Sequence, residues 1–351
     1  MNFISAGNSA FKYTGRIDFT SPETPLLIYA GSSISVRFTG TSVRIRISNR
    51  HSHYENAIGF LLDGREGKIV LSRTEEQNDY LIADNLENMM HVLVLWKRGD
   101  GCAFYFTFHG LILDENCGVF SSSVKTERCI ECYGDSVSAG EICEASEFTG
   151  KSDPDNHDGK FTNSWFSYSM MTARNFNAEI HNIAQGGLAV LDDTGYFGDG
   201  KVGLVSTWDK LRYNLKLGPY TMWDFSLYVP HVVIMAMGQN DSFPEDYINY
   251  NPEKRIKWIN AYGDIILKLR ERYADALFVV ITTLMNHDSG WDDALDEMVQ
   301  NLSDPKIIRY RFKRNGCGTP GHLRISEHEE MAQELTAFLK SFGDSIWKIK
   351  E

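Results

Sequence analysis

Four short segments carry the residue types that acyl transfer requires. In IECYGDSVSAGEICE (130–144) Ser136 follows Gly-Asp directly after an apolar run, which offers a hydroxyl nucleophile, although Ser and Asp are equally common wherever a strand ends and the chain turns. Farther along stand Gly186 and Gly187 in AQGG, Asn240 in GQND and His322 in GTPGH. Hydrolysis of an ester needs a nucleophile, a base for its proton, and donors aimed at the oxyanion that develops on the carbonyl oxygen. Ser136 supplies the hydroxyl. His322 is the candidate base, because an imidazole titrates near neutrality and can hand the proton on to the leaving alcohol. Gly187, or Gly186 one step earlier, offers a backbone N–H that no side chain obstructs, Asn240 a side-chain amide, and Ser136 its own N–H. Each segment alone has an ordinary reading as a turn or a packed histidine. Their shared order is what points to a site.

The elements that must position these residues come next. Apolar runs at 128–133, 179–184, 231–237, 277–284 and 307–312 read as strands, and helical periodicity marks 164–176, 252–273, 291–302 and 326–342. Asn251-Pro252 is an N-cap followed by Pro at the first helical position, and Ser326 with Glu329 spells a capping box for the last helix. Strands alternating with helices imply a mostly parallel sheet covered on both faces, with ligands beyond the strands' carboxyl ends. Ser136, Gly186-Gly187, GQND and His322 all follow such strands. The stretch 144–161, rich in Asp and Gly, is long enough for a lid or pocket wall.

Ahead of this region the period is two. SISVRFTGTSVRIRIS puts Ile34, Val36 and Phe38 on one face and Val43, Ile45 and Ile47 on another, and Asp63-Gly64 is a tight-turn dipeptide. The expectation is an N-terminal antiparallel β-sandwich, jelly-roll-like, over residues 1–124 and a C-terminal α/β/α domain over 125–351. At 351 residues two cores are the natural division.

Composition narrows the partners. The formal charge is −12, from 35 Lys and Arg against 47 Asp and Glu, with no basic cluster, so neither nucleic acid nor an anionic membrane is expected. No apolar run approaches the ~20 residues that span a bilayer, and the N-terminus lacks the basic and apolar regions of a signal peptide. The six scattered cysteines do not suggest a disulfide scaffold, and a reduced, cytoplasmic location is the expectation. Cys129 and Cys132 form a CxxC, and His51 and His53 an HxH, but neither finds further ligands at metal-site spacing. No metal and no cofactor are expected. A homo-oligomer is compatible with the sequence.

YGDSVSAG, AQGG, GQND and GTPGHLRISEHEEMAQEL together resemble the four blocks of the SGNH (GDSL) hydrolases, and the chain as a whole, a sandwich ahead of such a domain, resembles carbohydrate esterase family two. The resemblance implies a Ser136 nucleophile, a His322 base, an oxyanion hole of Ser136, Gly187 and Asn240, and an acetylated plant polysaccharide or oligosaccharide as substrate. One position departs: three residues before the His, where the superfamily usually has Asp, this sequence has Thr319. His322 is then oriented either by a backbone carbonyl in GCGTPGH, making a dyad, or by a carboxylate from another loop, of which Asp288 is the best placed. Family two resemblance favours the dyad. Trp291 is read either as an aromatic platform for a sugar ring, as the family implies, or as a helix-start Trp on the core. Two other classes stay open: a lipase- or lysophospholipase-like esterase on the same scaffold, and a non-catalytic carbohydrate-binding protein. The GxSxG elbow of α/β-hydrolases is absent, since position 138 is Ser.

Overall fold

The computed structural model describes residues 1–121 and 126–348. The chain divides into two compact units: residues 1–125 with the short segments 158–160 and 211–220, and the remainder from Thr126 onward. A contiguous division at 124/125 was expected. The junction itself falls partly outside the described residues, and the two short segments depart from that division. Leu211–Tyr220 is held by the first unit: Arg212 Nε lies 2.6 Å from the buried Asp18 carboxylate, and the Asn214 N–H donates to the Tyr105 hydroxyl at 3.0 Å.

The first unit is a sandwich of two six-stranded sheets, antiparallel throughout its pairings, among them Met89–Lys97 on Ser33–Gly40 and Phe104–Leu113 on Val43–His51. Period-two patterning is realised as alternation of buried and half-exposed residues along Ser33–Gly40 and along Val43–His51 as far as Arg50. These two strands lie in different sheets, so Ile34, Val36 and Phe38 meet Val43, Ile45 and Ile47 across one core. Asp63 and Gly64 both have positive φ (51° and 80°) between paired Leu62 and Arg65, the backbone that a two-residue hairpin demands.

The second unit is a five-stranded sheet. Its strands, all parallel, are β1 (Arg128–Gly134), β2 (Ala178–Ala184), β3 (Val232–Ala236), β4 (Leu277–Val280) and β5 (Ile307–Arg309), in the spatial order β2-β1-β3-β4-β5. Alternate residues Ile130, Cys132, Val232, Ile234, Leu277 and Val279 share one core with α2 (Tyr168–Asn175) and α5 (Ile325–Lys340). The intervening residues Tyr133, Val233, Met235, Phe278 and Val280 are equally buried and face the other side. There α3 (Pro252–Arg272) and α4 (Ser289–Leu302) pair through Arg255 and Glu297. The fold is thus α/β/α. Asn251 caps α3 through Lys254 N at 3.1 Å, with Pro252 at its start.

Three boundaries differ from expectation. Strands β4 and β5 stop at Val280 and Arg309; beyond β4, Thr282 turns its hydroxyl into a polar cluster with Asp292 (2.7 Å) and Asn315 (2.9 Å). Helix α5 begins at Ile325, and Glu327, rather than Glu329, reaches back to the Arg324 N–H at 3.0 Å.

Candidate active site

In a 2-1-3-4-5 sheet the chain reverses direction between β1 and β3, and the crevice at that switch point is where ligands sit. Register aligns the three strands that border it: Gly134 stands opposite Ala184 on one side and Ala236 on the other. Two residues beyond that level come Ser136, Gly186 and Gly238.

Ser136 opens a one-turn helix, α1 (Ser136–Ala139), capped by Asp135, whose Oδ1 accepts from Val137 N at 3.0 Å. The turn back is so tight that a Cβ on Gly134 would collide with the Ser138 side chain, which is why glycine ends β1. Asp135 is buried, and burial pushes its carboxyl up to about 6 against the opposing pull of the Val137 N–H and the nearby His322. The Asn240 amide spans the crevice, donating to Asp135 Oδ2 at 3.3 Å and to the Leu188 carbonyl at 3.2 Å. Beside Leu188, Gly187 takes φ +71°, where a Cβ would press on Tyr196 Cβ at 2.9 Å. Its carbonyl accepts from Tyr196 N and Phe197 N at 2.8 and 3.0 Å. Among the described residues the N–H groups of Ser136 and Gly187 bond to nothing. The Gly186 carbonyl accepts from the Gln185 amide at 2.9 Å. The GQND turn is fixed from below by Asp241, fully buried, which accepts from Val190 N and Leu191 N at 2.7 and 3.1 Å.

His322 reaches the same crevice. Glu141 donates its N–H to the Ser136 carbonyl at 3.0 Å, and its Oε2 lies 3.8 Å from His322 Nε2. The opposite ring nitrogen, Nδ1, is 2.7 Å from Asp153 Oδ2. Asp153 also accepts from the His322 backbone N–H at 3.1 Å and from Arg324 Nη2 at 2.9 Å. Burial alone would favour a neutral ring, but the Asp153 hydrogen bond and the charges of Glu141, Asp153 and Asp135 outweigh it and hold the imidazole above its ordinary value. Burial likewise opposes ionisation of Asp153, yet His322 and Arg324 bring it down to about 2.

The expected dyad is therefore corrected: a carboxylate, not a backbone carbonyl, holds Nδ1, and it is Asp153 rather than Asp288. Asp288 instead caps α4, accepting from Gly290 N at 2.7 Å and from the Asn249 amide at 2.6 Å. Thr319, at the position of the absent block carboxylate, accepts from Gly150 N at 2.9 Å and so ties down the loop that delivers Asp153. Its own N–H donates to Glu327 at 2.8 Å. Trp291 is also corrected. It is 1% exposed and packs edge-on against Trp258 and Tyr247, with centroids 5.3 and 5.5 Å apart, so its ring is no open platform. Sequence reasoning missed Asp153, Arg324 and Glu141, although Asp153 lies in the acidic 144–161 stretch already marked as a pocket wall. Among the described residues no group of three or more His, Cys, Asp or Glu is placed to hold a metal ion.

Comparison with known proteins meets this geometry. Residues 13–122 match the family model for the carbohydrate esterase 2 N-terminal domain. Over 347 residues, 95% of this chain, the sequence is 30% identical to the cellulase/esterase CelE of Acetivibrio thermocellus. A solved family two carbohydrate esterase from Clostridium thermocellum, in complex with cellohexaose, superposes with a TM-score of 0.80 at 28% identity, covering 95% of this chain and 99% of that one. The chain is a relative of the family two carbohydrate esterases. Another family relative, the acetylxylan esterase / glucomannan deacetylase of Cellvibrio japonicus, is 24% identical across 97% of this chain and 91% of its own length. Of CelE, by contrast, the chain spans 40%.

Proposed function

We propose that the chain is a serine carboxylic ester hydrolase that removes acetyl groups from acetylated plant oligosaccharides or polysaccharides. The observation that carries this is the meeting of Ser136, a carboxylate-bound His322 and unengaged N–H donors at one switch point, in a chain related over 95% of its length to a family two carbohydrate esterase. Ser136 Oγ attacks the acetyl carbonyl carbon while His322 Nε2 takes its proton, and Asp153 accepts from Nδ1–H and stabilises the imidazolium. The negative charge moves to the carbonyl oxygen, where the N–H groups of Ser136 and Gly187 and the Asn240 amide receive it. Asn240 gives up one of its long resting bonds to do so. The tetrahedral species collapses, the C–O bond to the sugar breaks, and Nε2 returns the proton to the leaving sugar oxygen. Water then repeats the sequence on the acetyl-enzyme, releasing acetate and restoring Ser136.

A sugar suits the rim. Tyr196 and Phe243, 60% and 44% exposed, stack with centroids 4.4 Å apart beside Gly187, giving an aromatic surface of the kind that packs on sugar rings and taking the role expected of Trp291. Glu141 beside His322 Nε2 and the Asn240 amide beside Asp135 are polar groups near Ser136, which suits hydroxylated substrates better than the acyl chain of a lipid. Acetate release from acetylated xylo-, manno- and cello-oligosaccharides tests the reading. Wild type releases acetate from at least one of them and Ser136→Ala from none. Undiminished release by Ser136→Ala overturns it.

A further inference from the structure

The nitrogen that serves the leaving group has a second carboxylate beside it. Nδ1 is fully engaged by Asp153, so Glu141, on the Nε2 side, is not the orienting acid. At 3.8 Å it is also too far for a hydrogen bond, so it does not occupy the Nε2 lone pair that a base needs. Its backbone is pinned to Ser136 through the N–H to carbonyl bond, and its side chain is 19% exposed, open enough to meet a ligand. Since Nε2 must protonate the departing oxygen, an oxygen flanking Nε2 also flanks the alcohol half of the substrate.

We propose that Glu141 determines specificity for that alcohol: its carboxylate accepts a hydrogen bond from a free hydroxyl adjacent to the ester oxygen and repels anionic alcohols, so the site takes acetates of neutral polyols. An ionised carboxylate only accepts, which matches a hydroxyl donor and opposes a second carboxylate. The charged groups around the ring agree. Asp153, Glu141 and Asp135 face His322 from three different segments. The cation Arg324 is turned away onto Asp153 and the His322 carbonyl (2.7 Å), and the buried His328 is held well below its ordinary value, to about 3, by burial and by the charges of His322 and Arg324.

The inference rests on the acyl-transfer reading, and the two are separable. Wild type, Glu141→Gln and Glu141→Ala would be assayed on 2-hydroxypropyl acetate against propyl acetate, and on acetoxyacetamide against acetoxyacetate. Wild type should prefer the hydroxylated member by about tenfold or more in kcat/KM, as a hydrogen bond to a charged group warrants, and Glu141→Ala should abolish that preference. Glu141→Gln, which keeps the shape and an acceptor oxygen, should lose the discrimination against acetoxyacetate. It should also move the acid limb of the kcat/KM profile to lower pH. A shift of the acid limb with both selectivity ratios unchanged, in variants of unaltered circular dichroism, would reduce Glu141 to a support for the imidazolium and overturn the inference alone. Absence of any hydrolysis of 4-nitrophenyl acetate by wild type would remove the esterase reading and this inference with it.

Discussion

At Asp153 a single carboxylate serves an imidazole nitrogen, a backbone N–H and a guanidinium. Asp153→Asn presents an amide that no longer fixes the tautomer or stabilises the imidazolium, and kcat should fall by up to ~10⁴-fold. Asp288→Asn, which disturbs the cap of α4 and the contact with the Asn249 amide, should stay within about threefold of wild type, a cap being worth ~1 kcal/mol of helix stability. Steady-state kinetics on a chromogenic acetate, with circular dichroism as the control, separates the two. A larger loss in Asp288→Asn than in Asp153→Asn would reverse the assignment. The pH dependence follows from the same contacts. His322 must be neutral to act as a base and its value is raised, so kcat/KM should rise with pH through a limb above that of an ordinary histidine. The linkage to stability has two signs. His322 contributes stability fully present below its unfolded value and lost as pH rises through the raised folded one. Asp153 contributes above the ordinary carboxylate range and loses its contribution as pH falls toward about 2. A kcat/KM profile with its acid limb below the ordinary histidine value would contradict the imidazole's surroundings.

At the scale of elements, the loop carrying Asp153 is anchored by the hydroxyl of Thr319 on Gly150 N. Thr319→Val keeps the shape, removes the acceptor and strands an N–H, at about 1 kcal/mol. The expected result is a three- to tenfold loss of kcat with KM little changed, and a larger rise in KM than fall in kcat would assign the loop to binding instead. This element also marks the limit of what sequence reveals. Ser136, Gly187 and Asn240 were legible because each closely follows a strand with a short apolar run, and parallel register then brings those strand ends together; His322, in the loop between β5 and α5, was legible from its place just ahead of the last helix. The sandwich was legible from alternation, because period two has one meaning on a half-buried sheet. Asp153 was not. Asp153, Asp155 and Asp158 look alike in one loop, and only the path of that loop past Gly321, whose missing Cβ leaves room for the Asp153 carboxylate, selects the first. Trp291 misled because a Trp at a helix start has the same signature whether its ring faces solvent or Trp258.

Over the whole molecule, two cores are built by two different periodicities, and each can be tested separately. Phe38 is fully buried in the core between the sandwich sheets. Phe38→Ala should cost that unit about 3–5 kcal/mol, seen as a lower denaturation midpoint by tryptophan fluorescence or calorimetry, and a loss under about 1 kcal/mol would mean the two faces do not interlock as described. In the second unit the 2-1-3-4-5 order alone places the crevice between β1 and β3, so the site is a property of topology before it is one of side chains.

The carboxylate that holds His322 comes from a surface loop, 169 residues distant in sequence from its partner, whereas Ser136, Gly187 and Asn240 follow the aligned ends of β1, β2 and β3. In evolutionary terms it is an exchangeable part. A descendant that shortened the loop would pass from triad to dyad without altering any of the four turns, and one that placed Asp at position 319 could regain an acid from the histidine's own segment. Chains identical across the nucleophile, oxyanion and base blocks can therefore differ in how their base is held, and the place to look for that divergence is the loop between α1 and α2.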